Sequence, residues 1–412
     1  VPFNLLRPPG FEGPPLQGRA AVNSAVMTTY APSDIAFDRG EGVYMFTKDG
    51  RRILDFGSGI AVTSVGHGHP HLLAAIHAQV DKLLHYSNLY TIPEQERLAK
   101  RLTDNSFASS VFFCNSGAEA VEAGIKLVRR YQVEAGHPEK NRIITCSGGF
   151  HGRTLATISA AKQEKHMQGF SPLLDGFDQV AFGNINEMRA AITDATAGIL
   201  VEPIQGEGGI HYAEPDYLKR LRATADEFGL LLFFDEVQTG VGRTGKLFAY
   251  EYADMEPDVV SLAKGLGGGI AVGACLANER ASTGMAPGSH GSTFGGNPVA
   301  MAAANAVLDI ILGDGFLGHV QEMGKYLKER LTALGEKHPN ILKDVRGEGL
   351  LVGIGCHATN LDLVKAMEAE NVLVIPAGDN TVRFIPPLIV QKNEIDEAVE
   401  AFDKVCAAAE AL

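Results

Sequence analysis

The stretch from 230 to 269 constrains the fold more than any other part of the chain. It holds two apolar runs, at 230–234 and 259–263, and Asp235 follows the first run as Lys264 follows the second. An unbroken apolar run that ends in polar residues is typical of a strand buried in a parallel sheet. Because ligands bind beyond the carboxyl ends of such strands, the sequence predicts an acid and a lysine side by side at one sheet edge.

A lysine next to an aspartate at such an edge suggests a particular chemistry. A lysine can form a Schiff base with an aldehyde cofactor, and an aspartate can hold a pyridine nitrogen protonated, which makes the ring an electron sink. The alternative is that Asp235 caps a turn and Lys264 is a solvated surface lysine. The glycines at 265 and 267–269 weigh against that alternative because they leave room for a ligand close to the backbone.

Two further segments carry residue types that bind ligands. Ser116 and Gly117 lie between a predicted strand and a predicted helix, where backbone N–H groups form an anion site; an ordinary N-capped helix is the alternative. Phe150 can stack on a planar cofactor, and Arg153 can bind a carboxylate through two parallel hydrogen bonds. A core phenylalanine and a surface arginine are the alternative for that segment.

Glu207, in EPIQGEGG at 202–209, and Arg383, in TVRFIPP at 381–387, are oppositely charged and are candidates for an ion pair. Solvated surface charges are the alternative. The glycine-rich stretch HGSTFGGNP at 290–298 contains Ser292 and Thr293, and from sequence alone it is equally a plain connection.

The sequence FDEVQTGVGRTG at 234–245, followed by SLAKG at 261–265, resembles the signature of class III (ornithine-type) aminotransferases. The resemblance extends from about residue 27 onward. It implies an α/β fold of the fold-type I pyridoxal-phosphate group: a large domain with a mainly parallel sheet flanked by helices, and a smaller α+β domain from the N- and C-terminal segments. It implies pyridoxal 5'-phosphate as cofactor, Lys264 as its covalent anchor and general base, and Asp235 as the partner of the ring nitrogen.

The resemblance also implies the other residues of the site. The implied cofactor contacts are Ser116, Gly117 and Ala118 at the phosphate, Phe150 on the ring face, Gln238 at the phenolic oxygen, Thr293, and the loop residues Glu236 and Val237. The implied substrate contacts are Arg153, Ser292 and the pair Glu207–Arg383. The resemblance implies that this pair is movable: it hides the arginine when paired and releases it when parted, so that one pocket accepts two different substrates. In the family the threonine reaches the phosphate of the neighbouring subunit, which implies a homodimer with shared active sites.

Within the family, the stretches DFGSGIAV at 55–62, SNLY at 87–90 and FGN at 182–184 are most similar to bacterial members that act on acetylornithine. That similarity implies transfer of the terminal amino group of N2-acetyl-L-ornithine to 2-oxoglutarate in arginine biosynthesis. The alternatives are transamination of ornithine, succinylornithine, succinyldiaminopimelate or 4-aminobutyrate, an aminomutase, and a non-catalytic cofactor-binding regulator. A regulator would need a DNA-binding unit, and the acidic chain shows none.

The length of 412 residues exceeds what one core usually supports. We predict a flexible arm rich in proline and glycine at 1–20, an N-terminal segment of the small domain at 21–75, a large cofactor-binding domain at 76–314 and a C-terminal small domain at 315–412. Strands are predicted at 42–46, 52–55, 111–114, 142–146, 198–202, 230–235, 259–263, 271–277, 350–354 and 372–375. Helices are predicted at 71–84, 118–135, 187–193, 215–228, 297–311, 315–334 and 394–409.

The net charge of −13 argues against nucleic acid or an anionic membrane surface as partners and leaves small-molecule substrates. The five cysteines are scattered and form neither a metal-spaced pair nor a disulfide framework, as in a reducing compartment. No apolar run is long enough to span a bilayer and no signal-peptide pattern appears, so the sequence predicts the cytoplasm. His67, His69 and His71 resemble a metal cluster, but we predict structural roles for them and no metal.

Overall fold

The computed structural model describes residues 25–411. The arm predicted at 1–20 lies outside the described residues. Residues 25–36 contain turns but neither a helix nor a strand, and every element named below belongs to the compact unit that begins at Phe37.

Three sheets and a two-stranded ribbon organise this unit. In chain order, the strands are β1 (Phe37–Glu41), β2 (Tyr44–Thr47), β3 (Arg52–Asp55), β4 (Ser110–Cys114), β5 (Arg142–Cys146), β6 (Phe177–Val180), β7 (Thr196–Val201), β8 (Ile204–Gln205), β9 (His211–Tyr212), β10 (Leu231–Asp235), β11 (Val259–Leu262), β12 (Gly273–Ala277), β13 (Leu342–Glu348), β14 (Leu351–Cys356), β15 (Val372–Leu373), β16 (Ile375–Ala377) and β17 (Thr381–Phe384).

Helices cover the large sheet and close the C-terminal part. In chain order, they are α1 (Ser58–Ala61), α2 (Pro70–Val80), α3 (Pro93–Asp104), α4 (Gly117–Glu134), α5 (Leu155–Ala161), α6 (Glu164–Met167), α7 (Ile185–Ala190), α8 (Pro215–Phe228), α9 (Glu279–Ser282), α10 (Pro298–Ile311), α11 (Phe316–Lys337), α12 (Asn360–Ala369) and α13 (Lys392–Glu410). Ala249–Ala253 and Lys264–Gly267 form 3₁₀ turns.

The largest sheet has the strand order β4-β12-β11-β10-β7-β5-β6. β10 runs parallel to β7 and β11, and within this sheet only β12 runs in the direction opposite to the other six strands. The predicted α/β fold with a mainly parallel sheet is therefore confirmed. Every residue of β10 and β11 is buried, which explains their apolar sequences. Asp235 pairs in register with Ser261, so the carboxyl ends of β10 and β11 meet at one edge.

Helix α4 packs closely on this sheet. Its residues Val121, Ile125 and Val128 are buried in one cluster with Phe233 of β10. A side chain at Gly124 would overlap the ring of Phe233, so glycine permits the close approach. The helix begins at the same sheet edge at which β10 and β11 end.

The two smaller sheets lie outside the large one. One has the order β1-β2-β3-β15, and it joins the predicted N-terminal hairpin to a strand from the C-terminal segment through parallel pairing of β15 with β3. The other has the order β13-β14-β17-β16. Arg383 lies in β17, opposite Gly353 of β14. The domain boundaries at 75 and 314 stay a prediction.

Most predicted elements of the large sheet lie within a few residues of their observed bounds, and α8 matches its prediction. The strand predicted at 372–375 is two short strands, because Leu373 pairs with β3 whereas Ile375 pairs with β17. The sequence analysis missed several elements, among them β6, β13, β17, α5 and α12. It also missed α3, whose sequence is strongly charged and which buries only Leu98 and Leu102 fully.

Among residues 25–411, no single helix is long and apolar enough to cross a membrane. Helices α10 and α11 are long and apolar enough for a membrane span only when they are counted as one, and the chain bends by 73° between them.

Candidate active site

Lys264 opens a 3₁₀ turn just beyond β11 and lines a cavity of about 420 Å³ together with Asp235. Burial lowers the pKa of its ammonium group to about 8, although the neighbouring Glu207 carboxylate opposes the change. An amine that is partly neutral near physiological pH is suited to nucleophilic attack and to proton transfer. This position rules out the alternative of a solvated surface lysine.

Asp235 is buried at the end of β10, where three donors surround its carboxylate. Its Oδ1 accepts hydrogen bonds from Ser261 Oγ and Val237 N, both at 3.1 Å. Its Oδ2 lies 2.9 Å from Nδ1 of His151, which is only 3% exposed. Burial alone would lower the pKa of His151, but the hydrogen bond to Asp235 and the charges of Asp235 and Glu202 outweigh it and raise that pKa.

His151 and Glu202 are site residues for which the sequence analysis gave no role. The position of His151 between Phe150 and Arg153 indicated that it lies near the site. Its partner could not be read from the sequence, because Asp235 lies 84 residues away. Glu202 lines the cavity, and its Oε1 accepts a 2.6 Å hydrogen bond from Phe150 N. Burial raises the pKa of Glu202 to about 8. The sequence could have indicated a site role for Glu202, because this carboxylate follows β7 directly and ligands bind beyond the carboxyl ends of parallel strands.

The start of α4 forms one wall of the cavity. Ser116 caps the helix, with its Oγ accepting a 3.2 Å hydrogen bond from Glu119 N, so the alternative of an N-capped helix holds in part. Gly117 and Ala118 line the cavity at a helix N-terminus, where backbone N–H groups attract anions. A Cβ on Gly117 would lie 2.7 Å from Val237 Cγ1, so a side chain there would push the helix away from β10.

Phe150 lines the cavity, whereas Arg153 is exposed beside it. The Arg153 guanidinium lies 5.7 Å from the centre of the Phe150 ring. The arginine therefore stands at the margin of the cavity, with no carboxylate among the described residues in an ion pair with it, and is available to an anionic ligand.

Glu207 and Arg383 form a two-point ion pair. Arg383 Nη1 lies 2.8 Å from Glu207 Oε1, and Nη2 lies 3.2 Å from Oε2. Arg383 is only 1% exposed, so the alternative of two solvated surface charges does not hold. Its Nη1 also donates to Gln238 Oε1 at 3.0 Å. Burial raises the pKa of Glu207, but the charges of Arg383 and Lys264 outweigh it and lower that pKa.

Five predicted site residues do not line the cavity of their own chain. Two of them, Arg153 and Arg383, lie next to the lining residues Phe150 and Glu207, and the other three are Glu236, Ser292 and Thr293. The buried Glu236 carboxylate accepts hydrogen bonds from Thr239 Oγ1 and from the backbone N–H groups of Ala249 and Tyr250. Ser292 Oγ accepts from Asn115 Nδ2 at 3.2 Å and so lies beside the start of α4. Thr293 is exposed.

The histidines at 67 and 71 pair with single carboxylates. His67 Nε2 lies 2.8 Å from Asp55 Oδ2, and His71 Nε2 lies 2.8 Å from Asp309 Oδ2. Across residues 25–411, no group of three or more His, Cys, Asp or Glu side chains is arranged to hold a metal ion.

The cavity presents the groups that pyridoxal phosphate requires. It offers an amine for the aldehyde, a carboxylate for the ring nitrogen, a phenyl ring for the ring face and a helix N-terminus for the phosphate. Because residue 117 is a glycine, the N-terminus of α4 can lie close to the end of β10. A small cofactor that contacts both elements requires this short distance between them. The residues present therefore fit this cofactor.

Comparisons with known proteins agree on one family. The family described as aminotransferase class-III matches residues 26–406. The acetylornithine aminotransferase of Agrobacterium fabrum is 52% identical over 393 residues, which cover 95% of this chain and 98% of that protein. Acetylornithine aminotransferase 1 of Bradyrhizobium diazoefficiens is 55% identical over 390 residues, covering 94% and 96%. The Toxoplasma gondii ornithine aminotransferase, solved with partial occupancy of PLP at its active site, has a TM-score of 0.89 at 30% identity and covers 94% and 93%.

Proposed function

We propose that this chain, which belongs to the class III aminotransferases, transfers the terminal amino group of N2-acetyl-L-ornithine to 2-oxoglutarate, a step of arginine biosynthesis. The observation that carries the proposal is the buried Glu207–Arg383 pair in contact with the cavity that holds Lys264 and Asp235. Two relatives named acetylornithine aminotransferase, each about half identical to this chain over nearly its full length, support this choice of donor.

Pyridoxal 5'-phosphate is the cofactor of the family, and when bound it supplies an aldehyde and a ring that accepts electrons. Lys264 would hold its aldehyde end and Asp235 its ring nitrogen. The residues that would hold the remainder are Phe150 at the ring face, Gln238 at the phenolic oxygen, Val237 beside the ring, and Ser116, Gly117 and Ala118 at the phosphate.

Lys264 moves the proton. Its Nζ, which is freed when the substrate amine takes its place and whose pKa burial lowers to about 8, takes the proton from the substrate carbon that carries the amine and later returns a proton to the acceptor substrate. Asp235, which is fixed by His151 and Ser261, would accept a hydrogen bond from the ring nitrogen. Two half-reactions in one site give ping-pong kinetics.

The Glu207–Arg383 pair distinguishes the two substrates. Both have a carboxylate several bonds from the reacting amine, which Arg153 at the cavity margin would bind. Only glutamate and its oxo acid carry a second carboxylate on the reacting carbon. In the paired state Glu207 occupies Arg383, so the site suits acetylornithine; when the pair parts, Arg383 binds the second carboxylate through two hydrogen bonds.

Replacing Glu207 with glutamine should shift the preference of the site towards glutamate. The amide cannot neutralise Arg383, so the ratio of kcat/KM for glutamate to that for acetylornithine should rise about tenfold, which is about 1.4 kcal/mol. The measurement is the two half-reactions taken separately with single substrates. Glu139→Gln, at an exposed site, is the matched control. An unchanged ratio in Glu207→Gln would remove the pair from substrate selection.

The donor is tested with cofactor-loaded protein and one amine at a time, in the absence of an oxo acid. We expect the visible absorbance of the bound cofactor to change rapidly with N-acetylornithine and with glutamate, and slowly with 4-aminobutyrate. Rapid change with ornithine, succinylornithine or 4-aminobutyrate alone would keep the transaminase and replace the donor. No absorbance change with any amine would reject both the transaminase activity and the proposed donor.

We propose that the enzyme acts as a homodimer in which Thr293 reaches the phosphate site of the partner subunit. Support comes from the exposure of Thr293 and from apolar side chains around it: Phe294 is 62% exposed and Leu89 is 86% exposed. Asn88 donates hydrogen bonds to the Ser292 and Gly295 carbonyls, so these apolar residues form one surface. Light scattering should give twice the chain mass of 43.9 kDa, and a single-chain mass would contradict the proposal.

We also propose that the enzyme works in the cytoplasm. All five cysteines are free and buried, as expected where thiols stay reduced. Fractionation of cells should recover the activity with cytoplasmic markers, and recovery in an oxidising compartment would contradict this.

A further inference from the structure

The backbone of Lys264 is held in a conformation that lysine rarely adopts. Its φ is +42°, in the left-handed region that suits glycine and is unfavourable for a residue with a Cβ. Such a conformation persists only where the surroundings fix it. One contact that fixes this backbone involves the next residue. The Gly265 carbonyl accepts a 2.8 Å hydrogen bond from Ser64 Oγ, which lies 201 residues away in the chain.

Ser64 is itself fixed on both sides. It is 1% exposed, its N–H donates to Val62 O at 2.9 Å, and its carbonyl accepts a hydrogen bond from Leu388 N at 2.7 Å. Leu388 follows the strand that carries Arg383. Ser64 therefore joins the 3₁₀ turn that begins at Lys264 to the segment that follows β17, the strand of Arg383.

The segment that leads to Ser64 is unusual as well. The four residues of α1, Ser58–Ala61, all have positive φ values between 48° and 67°, so they form a left-handed turn. Asp55 holds its start: Oδ1 accepts hydrogen bonds from Gly57 N at 3.0 Å and Ser58 N at 2.7 Å, and Oδ2 pairs with His67. A turn made so rigid can hold Ser64 in place against the lysine turn.

We propose that Ser64 is a positioning residue that acts through the Gly265 carbonyl to keep Lys264 directed into the cavity. The inference rests on the proposed role of Lys264 as the amine of the reaction. Without the hydroxyl, the carbonyl loses its donor, the left-handed backbone of Lys264 relaxes, and the amine samples positions outside its reactive geometry.

The test compares Ser64→Ala with Ser159→Ala in the cofactor-loaded enzyme. Ser159 is the matched control because it is 2% exposed, its Oγ donates a 2.7 Å hydrogen bond to a backbone carbonyl, that of Leu155, and it does not line the cavity. We expect Ser64→Ala to lower kcat about tenfold with little change in KM, and Ser159→Ala to keep the wild-type kcat. A fall in kcat of the same size in both variants would overturn the proposal.

A second readout separates positioning from general loss of structure. The pH midpoint of the visible absorbance of the loaded enzyme should move up by about 0.5 unit or more in Ser64→Ala, because the nitrogen that joins Lys264 to the cofactor is less confined there and is better solvated when protonated. An unmoved midpoint would overturn the proposal even if kcat fell. The midpoint is measured without substrate, so it tests Ser64 even if the proposed donor is wrong.

Discussion

Replacing Lys264 with alanine is expected to lower kcat by about 10⁴-fold. In the proposed mechanism, the change removes both the amine that would hold the cofactor and the base that moves the proton. Among the described residues that line the cavity, Lys264 is the only lysine, so no neighbour can take over. The visible absorbance of the loaded protein should also change, because the cofactor is no longer attached to the chain.

The control for this prediction is Lys219→Ala, which removes an exposed lysine on α8. It should leave kcat unchanged. A small primary amine added to Lys264→Ala should restore part of the activity if proton transfer is the missing step. A kcat for Lys264→Ala within tenfold of the wild-type value would exclude Lys264 from the chemistry.

Asp235 and Lys264 could be located from sequence because their positions follow from a general rule. Both follow short apolar runs that are too continuous for a half-buried strand, and the ends of parallel strands meet at one sheet edge. The structure has this arrangement, with Asp235 in register with Ser261 of the next strand. The resemblance to a family then gave these two residues their chemical roles.

The remaining site residues depend on contacts between distant segments. Glu207 and Arg383 lie 176 residues apart, and residue types alone left open whether they pair or face solvent. His151 had no recognisable partner until the fold brought Asp235 to it. Only tertiary packing decides which of several carboxylates a buried histidine meets.

Adjacency to a site residue is a weak guide to position. Glu236 follows Asp235 directly, but successive residues at a strand end point to opposite sides. Its carboxylate therefore faces the 3₁₀ turn at Ala249 and Tyr250, where it satisfies two backbone N–H groups. Burial raises the pKa of Glu236 to about 7, and these hydrogen bonds oppose the rise. We therefore assign Glu236 to the support of the loop rather than to cofactor contact.

Replacing Asp235 with asparagine is the second change with a large expected effect. The amide keeps the size of the side chain but brings no negative charge to the ring nitrogen, so kcat should fall about 10³-fold. Asparagine also deprives His151 of the carboxylate that raises its pKa, and burial should then keep the imidazole neutral.

Loss of stability must be separated from loss of chemistry, because Asp235→Asn also removes one member of the buried Asp235–His151 pair, and breaking a buried pair destabilises the fold. Asp258→Asn is the matched control. Asp258 is 3% exposed and pairs with Arg222 and Arg280 at 2.7 and 2.8 Å, but it does not line the cavity. Thermal unfolding should show both variants destabilised, whereas kcat per folded molecule should fall only in Asp235→Asn. If the two variants lost kcat equally, Asp235 would be a residue of the fold and the ring nitrogen would need another partner.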